Sequence, residues 1–353
     1  MTRIGRYVGF TVAGAILLVL AVIVGLDIIA GLIDELEDIQ GNYTFFSACL
    51  YVLMTVPSRI YDYLPFASLI GCLAGLGVLA SSSELVVIRA SGVHIFRLVW
   101  MVLKPTLILT LGGLLIAEFV SPRSQQLAEA YRDVALQKDQ AASTRYGVWH
   151  REGNRFMHFG AVQPNGVLMG VTLYDFDENR NLVKSTYAEQ AIYQNETWIL
   201  EEVETASFNS TVAEKSTAVS QHWNTKLSPR LLGLLVLEAD QLSMSGLWEY
   251  SKYLKGQGIN SDEYRLAFWN KALQPLTILA LVIVAISFVF GPLRSVTMGQ
   301  RLFTGIMVGV VFRTMQDMLG PASLVFDFPP VFAALIPINL CLILGFWLLS
   351  RKV

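Results

Sequence analysis

Charge is what this sequence has least of. Asp, Glu, Lys and Arg make up 15% of its 353 residues and 54% are hydrophobic, whereas a soluble domain carries about 25% charged residues. Such a composition belongs in a membrane. With a net charge of −2 and no basic stripe, there is no counterion-releasing surface for nucleic acid. Cys49, Cys72 and Cys341 all sit in apolar runs, so neither a disulfide framework nor a zinc site can be built from them. The sequence contains no GxxxxGK[ST] phosphate loop, no HExxH and no GxSxG, so it carries no engine or hydrolase motif of its own. His94, His150, His158 and His222 are scattered and read as structural, and no cofactor is called for.

Long apolar runs are what remains. A bilayer core of about 30 Å needs about 20 helical residues. Six segments qualify, roughly 10–33, 59–80, 98–120, 267–290, 302–320 and 330–349. The first is too long for a signal peptide and stops at the acidic DELED, so it reads as a retained span. Pro57 and Pro65 are expected to break an approach helix before the second span. Arg3, Arg6, Arg89, Arg97, Arg294, Arg301, Arg351 and Lys352 gather on one side of the membrane, while the short connections 34–58 and 321–329 hold no Lys or Arg. Both termini are therefore expected in the cytoplasm and the insert after span three on the far side.

That insert reads as β structure. Val167, Met169, Val171 and Leu173 alternate with Leu168, Gly170, Thr172 and Tyr174, and DENRN and QNE mark turns between further strands. A sandwich or jelly roll of about 100 residues is expected. Two helical arms join it to the membrane: PRSQQLAEAYRDVALQKDQ, continuing span three, and SMSGLWEYSKYLKGQG, capped at Ser243 or Ser245 with Leu247, Tyr250 and Leu254 on one face. The expected organisation is residues 1–121 with spans one to three, 122–262 as the β domain with its helices, and 263–353 with spans four to six.

Between spans two and three lies ASSSELVVIRASGVH. Ser81 and Glu84 have capping-box spacing and Gly92 suits the position after the last turn, predicting a short helix over 82–91. Its apolar Leu85 and Ile88, flanked by Glu84 and Arg89, must be buried against something, and a cytoplasmic protein fits better than headgroups for a segment with one basic residue before Gly92. Charges in or beside the spans are functional candidates by default. They are Asp27, Glu118, Arg132, and the pair Arg313 and Asp317, which share a helix face. A cavity lined by such groups would meet the polar head of an amphiphile, with Arg132 best placed for a phosphate.

SELVVIRASG, FGPLRSVTMGQR and LSMSGLWEYSKYLKGQG, with RYVG, VPSRIYDYLPFASLIG and NRNLVKSTYA, together resemble the LptF/LptG family, the permease subunits of the lipopolysaccharide-export ABC transporter, and its G-type branch more than its F-type. The similarity covers essentially the whole chain. It implies an α-helical integral membrane protein of six spans with an inserted periplasmic β-jellyroll. It also implies an LptF-type permease partner, an LptB-type ATPase dimer and an LptC-type single-span protein whose helix inserts beside span one. Residues 82–91 would be the coupling helix, with Glu84 contacting the ATPase. Lipopolysaccharide would enter through gates formed by spans one and five. Where some members carry a lipid-facing lysine near the end of span one, Gly31 stands here, and Glu129 replaces a basic position one turn before Arg132.

Two other functions compete. A sensor commonly has one or two spans and a cytoplasmic output domain; this chain has six spans and no such domain. An enzyme acting on envelope lipids would want paired acids, a His/Asp set or metal ligands near the membrane surface.

Overall fold

The computed structural model describes residues 3–39, 43–136, 148–162, 166–194, 197–208, 213–225, 227–229, 231–232, 238–290 and 296–350. Six helices are long and apolar enough to span a bilayer. They are α1 (Arg3–Leu36), α2 (Phe45–Ser81), α4 (Ile95–Leu115) with its continuation, α7 (Asp262–Phe290), α8 (Met298–Val325) and α9 (Pro330–Ser350). A short α3 (Glu84–Ala90) joins α2 to α4. Past α4 the helix runs through a π-turn, Ile116–Val120, into α5 (Ser121–Ala135). Arg294, Arg351 and Lys352, part of the charge asymmetry, lie outside the described residues.

The membrane bundle closes through small residues. Gly71 and Gly75 on α2 face α1 so closely that a Cβ on Gly71 would stand 2.5 Å from the Ile16 Cα, and one on Gly75 3.0 Å from the Val12 Cα. Gly305 and Gly309 repeat the same spacing on α8, against Leu73 and Phe66 of α2. Apolar surface gains nothing by leaving lipid for protein, so such close backbone approach supplies the van der Waals contact that holds spans together. Helix α2 sits centrally, packed against α1, α5, α7 and α8. Arg301, only 4% exposed, is a structural cation that donates to the Gly77 carbonyl of α2 at 3.0 Å.

Helix α2 is continuous from Phe45 to Ser81 with Pro57 and Pro65 inside it, contrary to the expected break. Proline in a helix interior removes one backbone hydrogen bond and leaves the carbonyl four residues earlier without its donor. In a membrane bundle a neighbouring helix can supply that donor. For Pro65 the carbonyl is that of Tyr61, and the Gln274 Nε2 of α7 donates to it at 2.8 Å. Near Pro57, the Thr55 hydroxyl donates to the Val52 carbonyl at 2.8 Å and the Ser124 hydroxyl of α5 to that of Met54.

The insert is a six-stranded antiparallel sheet in sequential order: β1 (Val148–Glu152), β2 (Arg155–Val162), β3 (Leu168–Phe176), β4 (Leu182–Gln194), β5 (Thr197–Phe208) and β6 (Ala213–Trp223). Its alternation does not run as the sequence pattern suggests. In β3 the buried residues are Leu168, Val171 and Leu173, with Met169 displaced from the core. The side-chain period slips at Gly170, whose φ is +60°. The same slip occurs in β4 between Ala188 and Ala191 and in β5 between Leu200 and Val203, where Glu202 has φ +51°. The cross-strand pairing passes over Gly160, Gly170, Glu189, Glu202 and Val219 in turn. One crease therefore crosses five strands, as an aligned row of bulge-like irregularities would produce. The sheet curls: the Phe159 ring of β2 lies 6.1 Å from that of Trp223 in β6, although a flat sheet would separate those strands by about 19 Å at its usual spacing.

Gly71→Ala should force α1 away from α2 and lower the stability of the detergent-solubilised protein by about 1–3 kcal/mol. Gly14→Ala on the same pair of helices meets nothing within 4 Å and should leave thermal unfolding unchanged. Equal melting curves for both variants would refute the close-packing account.

Candidate functional site

Among the described residues, the candidate site residues gather at three places. The first is α3. The expected capping box does not form: Ser81 ends α2, and Ser83 (φ +60°) precedes α3 without a side-chain cap bond. The Ser82 hydroxyl instead donates to the Glu84 Oε1 at 3.0 Å. The helix is 84–90 rather than 82–91, and Gly92 follows with φ +85°, as anticipated. The greasy side is buried within the chain itself, because Leu85 and Ile88 belong to the core of the membrane bundle. Val86 and Val87 face outward, 53% and 66% exposed. The Glu84 carboxylate also lies close to the Tyr7 hydroxyl of α1, and the Arg89 guanidinium lies 5.9 Å from the Phe290 ring centroid. α3 is thus fixed to α1, α2 and α7 by one face and presents two valines by the other.

The second place is the end of α1 nearer the sheet. Asp27 is ion-paired with Arg59 of α2 and accepts a hydrogen bond from the Tyr63 hydroxyl at 2.7 Å. Arg59 also donates to the Asp27 carbonyl at 3.1 Å and to the Thr55 hydroxyl at 3.0 Å. Its guanidinium lies over Gly31, where a Cβ would meet it within 2.7 Å. A glycine at this position thus makes room for a cation reaching across from α2.

Further along, Arg132 of α5 donates to Glu35 at 3.1 Å and is paired with Asp38. Its guanidinium stands 5.4 Å from the Tyr51 ring. Tyr51 donates to Glu129 at 3.0 Å and Tyr43 to Glu35 at 2.7 Å. Burial first, then the Glu35 carboxylate, raises the Tyr43 hydroxyl well above its ordinary pKa, so it remains a donor. The acidic residues after span one are therefore counter-ions for Arg132, and the site residues Asp27 and Arg132 are both engaged within the chain.

The third place is the exposed face of α8. Arg313 and Asp317 pair at 3.0 Å on consecutive turns, each 57% exposed. Phe303, Ile306, Met307, Val310 and Met318 lie exposed on the same helix. α1 carries a matching apolar stripe of Leu18, Val22, Leu26, Ile29 and Ile33. These two spans are the least covered, with 17% of the most apolar stretch of each buried against 67% in α2 and 72% in α7.

Sequence reasoning missed the anchorage of α6 (Met244–Gly256). Ser243 caps it as expected, accepting from the Gly246 amide. Glu118, carried on the π-turn, accepts from the Met244 amide at 2.8 Å, the Ser245 amide at 3.3 Å and the Ser245 hydroxyl at 2.6 Å. A carboxylate at a helix N-terminus is favoured by the unpaired amides and the helix dipole. At its other end α6 enters the sheet's core with Tyr250 and Leu254, and the Tyr253 hydroxyl is 3.0 Å from the His150 Nε2 of β1. Among the described residues no three His, Cys, Asp or Glu side chains gather in metal-binding geometry.

A bundle of six spans with a β domain inserted between the third and fourth, pinned to the spans by Glu118, is the architecture of a polytopic membrane protein with a domain outside the bilayer. Residues 6–351 match the family described as lipopolysaccharide export system permease LptF/LptG. The chain is 38% identical over 351 residues to lipopolysaccharide export system permease protein LptG of Escherichia coli K12, covering 98% of both chains. It is 35% identical over 355 residues to the LptG protein of Haemophilus influenzae Rd, covering 100% of this chain and 99% of that one. The chain belongs to the LptF/LptG permease family.

Two predictions follow from these contacts. Arg59→Leu leaves the Asp27 carboxylate partly buried without its cation and should destabilise the protein by about 2–3 kcal/mol, discounted from a fully buried pair. Asp27→Asn/Arg59→Leu should regain most of that, and a double variant no more stable than Arg59→Leu would contradict the pairing. Burial holds the His150 imidazole below its ordinary pKa, opposed by Glu152. Its contribution is therefore complete above about 6.5, the unfolded value, and is lost as pH falls below it. Acidification from pH 7.5 to 5 should lower the thermal stability of the chain more than that of a His150→Gln variant; equal acid sensitivity would contradict this.

Proposed function

We propose that this chain is the LptG-type permease subunit of an ATP-driven transporter. It extracts lipopolysaccharide from the outer leaflet of the inner membrane and passes it to a periplasmic bridge. It pairs with an LptF-type permease, rests on an LptB-type ATPase dimer and receives the helix of an LptC-type single-span protein. The chain itself is non-catalytic, as family membership requires of a permease subunit. Both termini and α3 lie in the cytoplasm and the sheet in the periplasm, a reading supported by the Lys and Arg distribution.

The observation that carries the proposal is the exposed pair Arg313–Asp317 on α8, one of the two least covered spans. Charges facing hydrocarbon are costly, so intramembrane ion pairs face a protein partner or a wet cavity. A second permease set against α1 and α8 would cover both apolar stripes and enclose a space with Arg313 and Asp317 on its wall. Lipopolysaccharide carries phosphates on its sugar and acyl chains beneath, which suits a wall apolar along its length with cations at one level. Arg132 contributes by exchanging Glu35 and Asp38 for phosphate oxygens as the lipid rises. Asp27 acts at one remove, by holding Arg59.

Coupling to the ATPase falls on Glu84, Val86, Val87 and Arg89, with Leu85 and Ile88 fastening α3 to the spans so that a push on the helix moves them. Val87→Glu should weaken co-purification of the ATPase at least tenfold and abolish ATP-driven lipid transfer with six spans still inserted, and Glu84→Ala should act in the same direction. Unchanged co-purification and transfer in Val87→Glu would remove α3 as the docking element. Lipid modification by the isolated chain would favour an enzyme instead.

A further inference from the structure

Two prolines in neighbouring spans answer one another. Pro65 deprives the Tyr61 carbonyl of α2 of its helical donor, and Pro275 does the same to the Lys271 carbonyl of α7. The Gln274 Nε2 donates to the Tyr61 carbonyl at 2.8 Å, and the Tyr61 hydroxyl donates to the Lys271 carbonyl at 3.3 Å. Each helix thus fills the vacancy of the other, through side chains that are 4% exposed for Tyr61 and 8% for Gln274. A helix bends most readily where proline has opened its ladder. Here the two places of easiest bending are tied face to face.

The tie continues in both directions. Lys271 lies 5.9 Å from the Tyr61 ring and donates from Nζ to the Leu242 carbonyl at 2.6 Å. Leu242 immediately precedes Ser243, the cap of α6, whose first amides are held by Glu118. α6 then enters the sheet's core with Tyr250 and Leu254. In the opposite direction α2 runs unbroken from Tyr61 to Ser81, and α3 begins three residues later at Glu84.

We propose that Gln274 and Tyr61 are positioning residues of a joint that turns a displacement of α3 into a displacement of α6 and the β domain, which rests on the transporter reading above. A push on α3 travels along α2 to Pro65, where the helix yields. Because Tyr61 grips α7 through both its carbonyl and its hydroxyl, α7 moves with it, and Lys271 carries the movement to the start of α6.

The test uses the complete transporter complex in proteoliposomes. Spin labels are placed at Ser82→Cys and Lys252→Cys in a chain with Cys49→Ser, Cys72 and Cys341 being buried. The label separation is measured with and without trapped nucleotide, beside ATP hydrolysis and lipopolysaccharide transfer. Gln274→Met keeps the length and removes the donor. It should leave complex yield and ATP hydrolysis within about twofold, abolish the nucleotide-dependent change in separation and reduce transfer at least tenfold. Pro65→Ala/Gln274→Met restores a backbone donor to the Tyr61 carbonyl within α2. It should recover any lost heat stability yet leave transfer low, since the yielding point and its grip are gone. Wild-type transfer and separation change in Gln274→Met, or full recovery of transfer in the double variant, would overturn the proposal and reduce the contact to packing. A wild-type complex without ATP-dependent lipid transfer would instead refute the transporter reading itself.

Discussion

Inside hydrocarbon no water is available to a backbone amide or carbonyl, so every such group must find its partner within the protein. That constraint governs this chain more than any other. Its spans contain Pro57, Pro65, Pro105, Pro275, Pro321 and Pro337, and each proline frees a carbonyl. At Pro65 and Pro275 the freed carbonyls are answered from the neighbouring helix. The answer brings specificity as well as stability, because it fixes the height of α2 against α7 residue by residue. Close glycine contacts fix α1 and α8 against α2 in the same manner. The two mechanisms leave α2 as the member to which most of the bundle is referred.

Charges follow a related rule. Asp27, Arg59, Glu35, Asp38 and Arg132 form pairs that tie α1 to α2 and to α5 near the β-domain side, while Arg313 and Asp317 pair with each other on an open face of α8. Pairs of the first kind hold the subunit together. The second kind stands on a face that the chain's own described helices leave uncovered. This division gives the export proposal its geometry: one wall of a conduit, with the other wall supplied by a partner of the same family. The sensor and enzyme readings are not favoured by family membership.

The six spans were legible because their apolar length is dictated by the bilayer, and the insert because its turns and alternation are local signals. Pro65 misled because its local rule was overridden by a donor on another helix, Gln274, 213 positions from the Tyr61 it serves, and Pro57 misled because it too is accommodated inside an unbroken α2. The sheet's alternation misled at Met169 because Gly170 turns the strand over, a crease shared with strands whose alignment no single segment reveals. The burial of Leu85 and Ile88 against the chain's own spans could not be told from burial against a partner, since an apolar face states only that it is covered. Arg132 and the acidic DELED were both in view, but the pairing of that arginine with Glu35 and Asp38 needed α1 and α5 to be placed side by side. Glu118 was visible as a charge at the end of a span; its task as the anchor of α6 depends on the π-turn that aims it.

The central claim is mechanical continuity from α3 to the β domain through hydrogen bonds made where helices are open. Hydrogen–deuterium exchange of α6 amides in the intact, membrane-embedded complex tests it most directly, because α6 lies at the opposite end of the chain of contacts from the nucleotide. The account predicts that trapping nucleotide on the ATPase changes exchange along Met244–Gly256 several-fold while α9 stays as it was. Identical exchange of α6 with and without trapped nucleotide would contradict it.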